Sequence, residues 1–193
     1  MAVWHRIAGR WLVACFLCLG FWHLGSGAYI PAKAWLAQGL MQRAWLRANN
    51  DVERPAPWPW ADTWPVARLT AKSRDVDLIV LAGGSGRTLA FGPGHLSASA
   101  MPGETGNAVI AGHRDTHFRF LRSVEAGELL GIESSNGRQH VYKVLGTDVV
   151  DSRNASLVLD TDAAMLTLVT CYPFDAREPG GPLRYVVTAK MLF

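Results

Sequence analysis

An all-β domain, folded as a barrel or sandwich of short antiparallel strands, is what the residues from Thr63 onward predict. Three observations carry that expectation. The helical period of residues 31–48 does not continue past Thr63. Short β-prone runs replace it, divided by glycine, proline and asparagine at close intervals. Asn136–Gly137 lies between two such runs and is the strongest two-residue hairpin signal in the chain. Many short strands with regular punctuation belong to sandwiches and barrels.

The strand-like runs follow in order: Val66–Leu69, Leu78–Leu81, Thr88–Phe91, Asn107–His113, Leu129–Glu133, His140–Leu145, Met165–Thr170 and Tyr185–Met191. Turn residues at 83–86, 92–94, 102–104 and 136–137 separate several of them. Residues 117–123 suit a short helix, and residues 147–164 read as a long loop ahead of the seventh run. No internal repeat or low-complexity tract is present.

Two segments precede this domain. Residues 11–30 read WLVACFLCLGFWHLGSGAYI, interrupted in polarity only by His23 and Ser26. A bilayer core takes about 20 such residues as a helix, so this run is expected to be an uncleaved transmembrane anchor rather than a signal peptide. Arg6 and Arg10 precede it and Lys33, Arg43 and Arg47 follow, so positive charge alone does not orient it. Residues 31–48 carry Trp35, Leu36, Leu40, Met41, Ala44 and Trp45 at helical spacing, with basic residues among them. This amphipathic helix has two homes, the membrane surface or the face of the following domain. A Pro- and Trp-rich linker then leads to a boundary near Asp62. The expected domains are therefore 1–30, 31–62 and 63–193.

Of the 193 residues, 49% are hydrophobic and 18% charged, which suits a globular core. The net charge of +3 is spread without a dense basic block, which argues against a nucleic-acid surface. Three cysteines are present, and Cys15 and Cys18 lie in the apolar run. Cys171 thus stands alone in the β-rich domain, either buried and inert or kept for chemistry.

Three strings hold residues of chemical interest. In MLTLVTCYPF a buried-type strand ends at Cys171, and Pro173 stops the ladder two residues later. In NAVIAGHRDTHF an apolar strand leads through Gly112, where the backbone can approach a neighbour, to His113. An imidazole there can take a thiol proton and return it to a leaving amine. Asp115 shares a face with His113 in extended chain and either orients the ring or caps the next turn. In GGPLRYVV, Arg184 opens the last strand, and its planar fork suits a developing oxyanion.

Taken together, GHRD at 112–115, TLVTC at 167–171 and an arginine after a Gly/Pro loop resemble the sortase family. The likeness extends through PGETGNAVIAGHRD at 102–115 and back to GPGH at 92–95, and it covers residues 63–193. It implies an eight-stranded β-barrel with short helices. Cys171 would be nucleophile, His113 its acid/base partner and Arg184 the oxyanion stabiliser, with Thr170 and Asp115 in supporting roles. The anchor followed by WPVARL at 64–69 looks most like the proteobacterial subgroup, in which one sortase accompanies a dedicated substrate. Sortases act outside the cytoplasmic membrane, so the resemblance orients the anchor with the domain on the periplasmic side. The implied partners are a substrate protein with a C-terminal sorting signal and an amine acyl acceptor. No cofactor or metal is expected.

Two other classes fit parts of the pattern. His113, Asp115 and His117 alternate along extended chain and, with Cys171, could ligate a metal in a hydrolase. A membrane-tethered barrel that only binds a partner is the other, since fold alone never fixes function. A hydrolysing cysteine protease would share the first half of the thiol chemistry.

Overall fold

The computed structural model describes residues 35–48, 54–176, 178 and 180–192. The expected anchor at 11–30 lies outside the described residues. Among those described, no helix is long and apolar enough to cross a membrane.

Eight strands close into a barrel in the order β1-β2-β3-β4-β7-β8-β6-β5. They are β1 (Pro65–Ala71), β2 (Val76–Ala82), β3 (Gly94–His95), β4 (Gly106–Ala111), β5 (Leu129–Ser134), β6 (Gln139–Asp151), β7 (Ala164–Cys171) and β8 (Leu183–Met191). The barrel is mixed rather than wholly antiparallel, because β2 pairs with β3 and β4 pairs with β7 in parallel. Neither parallel join is a tight hairpin, as a parallel pair requires: the helical turn Gly86–Leu89 lies between β2 and β3, and the chain forms β5 and β6 before β7 returns to β4.

Alternation along the strands decides what the barrel holds. Leu166, Leu168 and Thr170 of β7 point inward and are buried, whereas Met165, Val169 and Cys171 are only half-buried. Leu69, Ile110, Leu130, Ile132, Leu168 and Val187 fill the interior with essentially no exposure. Each such side chain contributes roughly 1.5–3 kcal/mol through burial. Phe118 and Leu121 belong to the same core.

The Asn136–Gly137 turn joins β5 to β6 as expected. Gly137 takes φ +77°, Asn136 Oδ1 accepts from the Arg138 amide at 3.1 Å, and the strands pair antiparallel. Two expectations need correction. Thr88–Phe91 is not a strand, because Gly86–Leu89 forms a helical turn, α2, capped by Ser85, whose Oγ accepts from the Thr88 amide at 3.1 Å. That local cap outweighs the β propensity of the Thr-Leu pair, and the third strand is Gly94–His95 instead. The sixth strand outruns its apolar core and continues to Asp151, so the loop before β7 is shortened to residues 152–163.

A helix, α1, occupies residues 35–48. Its Met41, Trp45 and Ala48 bury against Ile79 and Leu81 of β2, with Trp58 and Phe91 packed alongside. Of the two homes open to an amphipathic helix, residues 41–48 occupy the one on the barrel.

Candidate active site

Cys171 and Arg184 face each other across adjacent strands. Cys171 is the last residue of β7, and its register partner on antiparallel β8 is Arg184. Directly opposed residues have Cα atoms about 4.5–5.5 Å apart and side chains on one face. Strand β7 ends there, at the rim, and Cys171 is half-buried rather than sealed in the core.

The parallel partner of β7 brings His113 to the same rim. Ala111 of β4 lies opposite Val169, and the Gly112 amide donates to the Val169 carbonyl at 3.1 Å. One residue further, the Thr170 hydroxyl donates to the Gly112 carbonyl at 2.7 Å. These bonds carry His113, which is exposed, to the level of Cys171. A Cβ at Gly112 would come within 2.8 Å of the Phe118 ring, so only glycine admits this approach.

Arg184 is held from one side. Its Nη1 donates to the carbonyls of Gly181 at 2.7 Å and Leu183 at 2.9 Å. The other three N–H groups of the fork sit on Nη2 and Nε. Asp151, at the end of β6, has its carboxyl pulled down to about 2, chiefly by hydrogen bonding from the Arg153 side chain and amide and in smaller part by Arg184. A fixed negative charge therefore lies within electrostatic reach of Arg184.

A cleft of about 400 Å³ opens on the outer face beside this pair. Val150, Val169, Val186 and Leu157 give it apolar walls, and Arg184 also lines it. Ser152, Ala155, Ser156 and Leu157 of the loop 152–163 also line it, and that loop is tied down by Asn107, whose side chain the sequence reading did not single out. Asn107 Nδ2 donates to the Val158 carbonyl at 2.9 Å, its amide to the Leu159 carbonyl at 2.8 Å, and its Oδ1 accepts from the Thr167 hydroxyl at 2.8 Å.

The two expected supporting residues are placed differently from the first three. Thr170 is buried and its hydroxyl is bonded to Gly112, so it braces the His113 segment instead of facing a substrate. Strand alternation is the reason, since Thr170 points in wherever Cys171 points out. Asp115 is 73% exposed, and its Oδ1 accepts from Arg114 Nε at 3.1 Å. The carboxylate pairs with its neighbour and not with the imidazole. His117 lies close enough to His113 for their charges to interact; burial first, and that repulsion second, hold its imidazole below the usual histidine range. Among the described residues no three His, Cys, Asp or Glu side chains are gathered to hold a metal ion. The His113–Asp115–His117 string therefore does not form a ligand set.

Arg114 was also passed over, although GHRD contains it. It is buried, at 8% exposure, beneath the loop that joins β7 to β8. The signal was available, because Gly112 and Arg114 alternate with His113 and Asp115 and so face the protein.

The family model and the sequence relative name one family, and solved structures share its fold. The chain is 34% identical to sortase D of Bacillus subtilis (strain 168) over 117 residues, which is 60% of this chain and 58% of that protein. It thus spans less than two thirds of that relative's length. Among solved structures, a Clostridium perfringens sortase D5 transpeptidase superposes with a TM-score of 0.61 at 23% identity, covering 79% of this chain and 89% of that one. A Clostridium perfringens sortase C, solved with the C-terminal cell wall sorting motif, gives 0.60 at 19% identity, covering 84% and 90%. At those identities the structures establish a shared fold. The family model described as the sortase domain matches residues 69–192, from within β1 to the end of β8, and the chain belongs to that family.

Proposed function

We propose that this protein is a membrane-anchored cysteine transpeptidase that cleaves a sorting signal and passes the acyl group to an amine. The observation that carries the reading is the rim pairing of Cys171 with Arg184, with the cleft beside it and His113 held at the same level.

The reaction divides into two displacements. The Cys171 sulfur passes its proton to His113 as it attacks a peptide carbonyl carbon of a sorting signal whose preceding residues lie along the cleft. The carbonyl π electrons move to oxygen, and Arg184 donates N–H groups to that oxyanion. As the tetrahedral centre collapses, the C–N bond breaks, and His113 gives the departing nitrogen its proton. A thioester on Cys171 remains. The incoming amine then attacks the thioester carbonyl, His113 takes the amine's proton, and sulfur leaves. Every step uses protein groups alone. The apolar walls of Val150, Val169, Val186 and Leu157 suit an apolar side chain of the signal. The sortase C named above was solved with a C-terminal cell wall sorting motif, which supports a sorting signal as the class of substrate.

The setting extends the same reading. The apolar run at 11–30 supports a single-pass anchor, and the resemblance to a family whose members work outside the cytoplasmic membrane supports a domain on the outer, periplasmic side. The proteobacterial-type subgroup rests on the anchor followed by WPVARL at 64–69.

The full chain in detergent, with its Cys171→Ala variant, tests the chemistry. Each is incubated with a pool of sorting-signal peptides and hydroxylamine, and intact protein and products are read by mass spectrometry. An acyl adduct on Cys171 with hydroxamate product, both absent from the variant, is the expected result. Turnover by Cys171→Ala, or a folded protein whose Cys171 resists both peptide and iodoacetamide, would sink the proposal. Retention in the membrane pellet after alkaline carbonate extraction checks the anchor.

A further inference from the structure

Arg114 is an uncommon place for a permanent charge. Its side chain is 8% exposed, while Asp115, its ionic partner, is 73% exposed. Moving a guanidinium out of water is costly unless its donors are matched by acceptors. Besides Asp115 Oδ1, which accepts from Nε, the acceptors come from one loop: Nη2 donates to the carbonyls of Ala176 at 3.0 Å and Glu178 at 3.1 Å. Both belong to residues 172–182, the segment between Cys171 and Leu183 at the start of β8. One buried fork therefore ties the residue after His113 to the loop that connects the strands of Cys171 and Arg184.

The same loop is held from its other end. Arg184 Nη1 donates to Gly181 and Leu183. Gly180 and Gly181 both take positive φ, at +98° and +85°, so this end of the loop is shaped for glycine. Between the two arginines three carbonyls of this segment, those of Ala176, Glu178 and Gly181, are bonded, together with that of Leu183 at the start of β8. The cleft reaches Arg184 but does not involve Arg114. The signal peptide and the loop anchor are thus served by different residues.

We propose that Arg114 is a positioning residue for acyl transfer, clamping the 172–182 loop to the His113 segment so that imidazole, thiol and guanidinium keep their mutual geometry. The inference rests on the transpeptidase reading above for its kinetic consequence, and on the hydrogen bonds alone for its structural one. Because Arg114 acts away from the cleft, its loss lowers kcat and leaves the KM for the sorting peptide nearly unchanged. Misplacement of a reacting group by about 1 Å costs on the order of 10²-fold in rate.

The test uses the full chain in detergent with Arg114→Lys, which keeps the charge and loses the fork, and Arg114→Ala. Amide hydrogen exchange and steady-state kinetics are measured on both. Faster exchange confined to residues 172–182, with a tenfold or greater fall in kcat and a KM within about twofold, is expected. Guanidinium ion added to Arg114→Ala should restore part of kcat. Unchanged loop exchange overturns the clamp, whether or not turnover is seen. Exchange that rises throughout β7 and β8, with no guanidinium rescue, reduces Arg114 to general support of the fold and also overturns it. If the wild-type chain acylates with no peptide, the transpeptidase reading fails by itself, and the exchange data still decide the clamp.

Discussion

Thr170 donates its hydroxyl to the carbonyl oxygen of Gly112 at 2.7 Å, one residue before Cys171 on one strand and one residue before His113 on the other. The bond couples the two segments at the point where their outward neighbours must meet. A parallel pair is evenly but obliquely bonded, and here a side chain adds a link at its very end. The TLVTC string thus has a structural reason for threonine at its fourth position, with the hydroxyl turned to the interior.

Thr170→Val removes this link at nearly constant volume and leaves the buried Gly112 carbonyl without its hydroxyl donor. An unmatched buried acceptor costs about 1–3 kcal/mol, so the melting temperature should fall by roughly 2–4 °C per kcal/mol for a chain of this size. Thr170→Ser should recover most of the loss. Equal stability of the valine and wild-type proteins by thermal denaturation would mean that the bond carries no net energy.

Arg184→Ala should lower kcat by roughly 10²–10³-fold, the usual effect of losing one oxyanion donor. Arg184→Lys keeps the charge but loses the planar fork and should recover little. Both variants should still be alkylated at Cys171 by iodoacetamide, which separates oxyanion support from damage to the nucleophile. A lysine variant with wild-type turnover would show that charge alone suffices.

Much of this arrangement is legible in the chain itself. The run Met165–Thr170 is apolar without a break and meets Pro173, so a strand must end near Cys171, and β7 does end there. Asn136–Gly137 likewise specifies its hairpin, through the positive φ of Gly137 and the Asn136 side chain that accepts from the Arg138 amide. What was hidden depends on distant partners. The burial of Arg114 is satisfied by carbonyls 62 and 64 residues away, and no local pattern names them. Asn107 reads as an ordinary strand residue until a loop 51 residues later closes over it. Turn α2 failed for the opposite reason: a local cap at Ser85 overrode a β-prone pair, and the expectation had weighed propensity without the cap. The inward face of Thr170 needed only the period-2 rule applied from Cys171.

Acid sensitivity should pass through His117. Its imidazole is held below its ordinary value of 6.5 by burial and then by His113. The unfolded chain therefore binds this proton more readily than the folded one. The contribution to stability is complete above about 6.5, the unfolded value, and is lost as pH falls through the folded value. Denaturant midpoints measured downward from neutrality should decline more steeply for wild type than for His117→Gln, with the two converging in shape above about 6.5. Parallel curves across that interval would exclude His117 as the titrating group.

Asn107 should govern the loop whose residues 152 and 155–157 line the cleft. Its side chain and amide together hold Val158 and Leu159, and Thr167 braces its oxygen from β7. In Asn107→Ala the amide bond to Leu159 can persist, whereas the side-chain tether is gone and Thr167 loses its acceptor. The cost should be about 1–3 kcal/mol, since the Val158 carbonyl and the buried Thr167 hydroxyl each lose a partner. The local effect should exceed the global one, because residues 152–158 are exposed and their other hydrogen bonds, to Asp151 and Pro182, run from residues 152–155. Arg153 stands in that loop and offers trypsin a cleavage point. Limited proteolysis should therefore cut after Arg153 several-fold faster in Asn107→Ala than in wild type, and KM for a sorting peptide should rise while acylated Cys171 still forms. Asn107→Asp should behave like the alanine variant, since a carboxylate oxygen facing the Val158 carbonyl can no longer donate. Slow, wild-type cleavage in both variants would show that the loop is held by its own turns and that the cleft wall does not depend on Asn107.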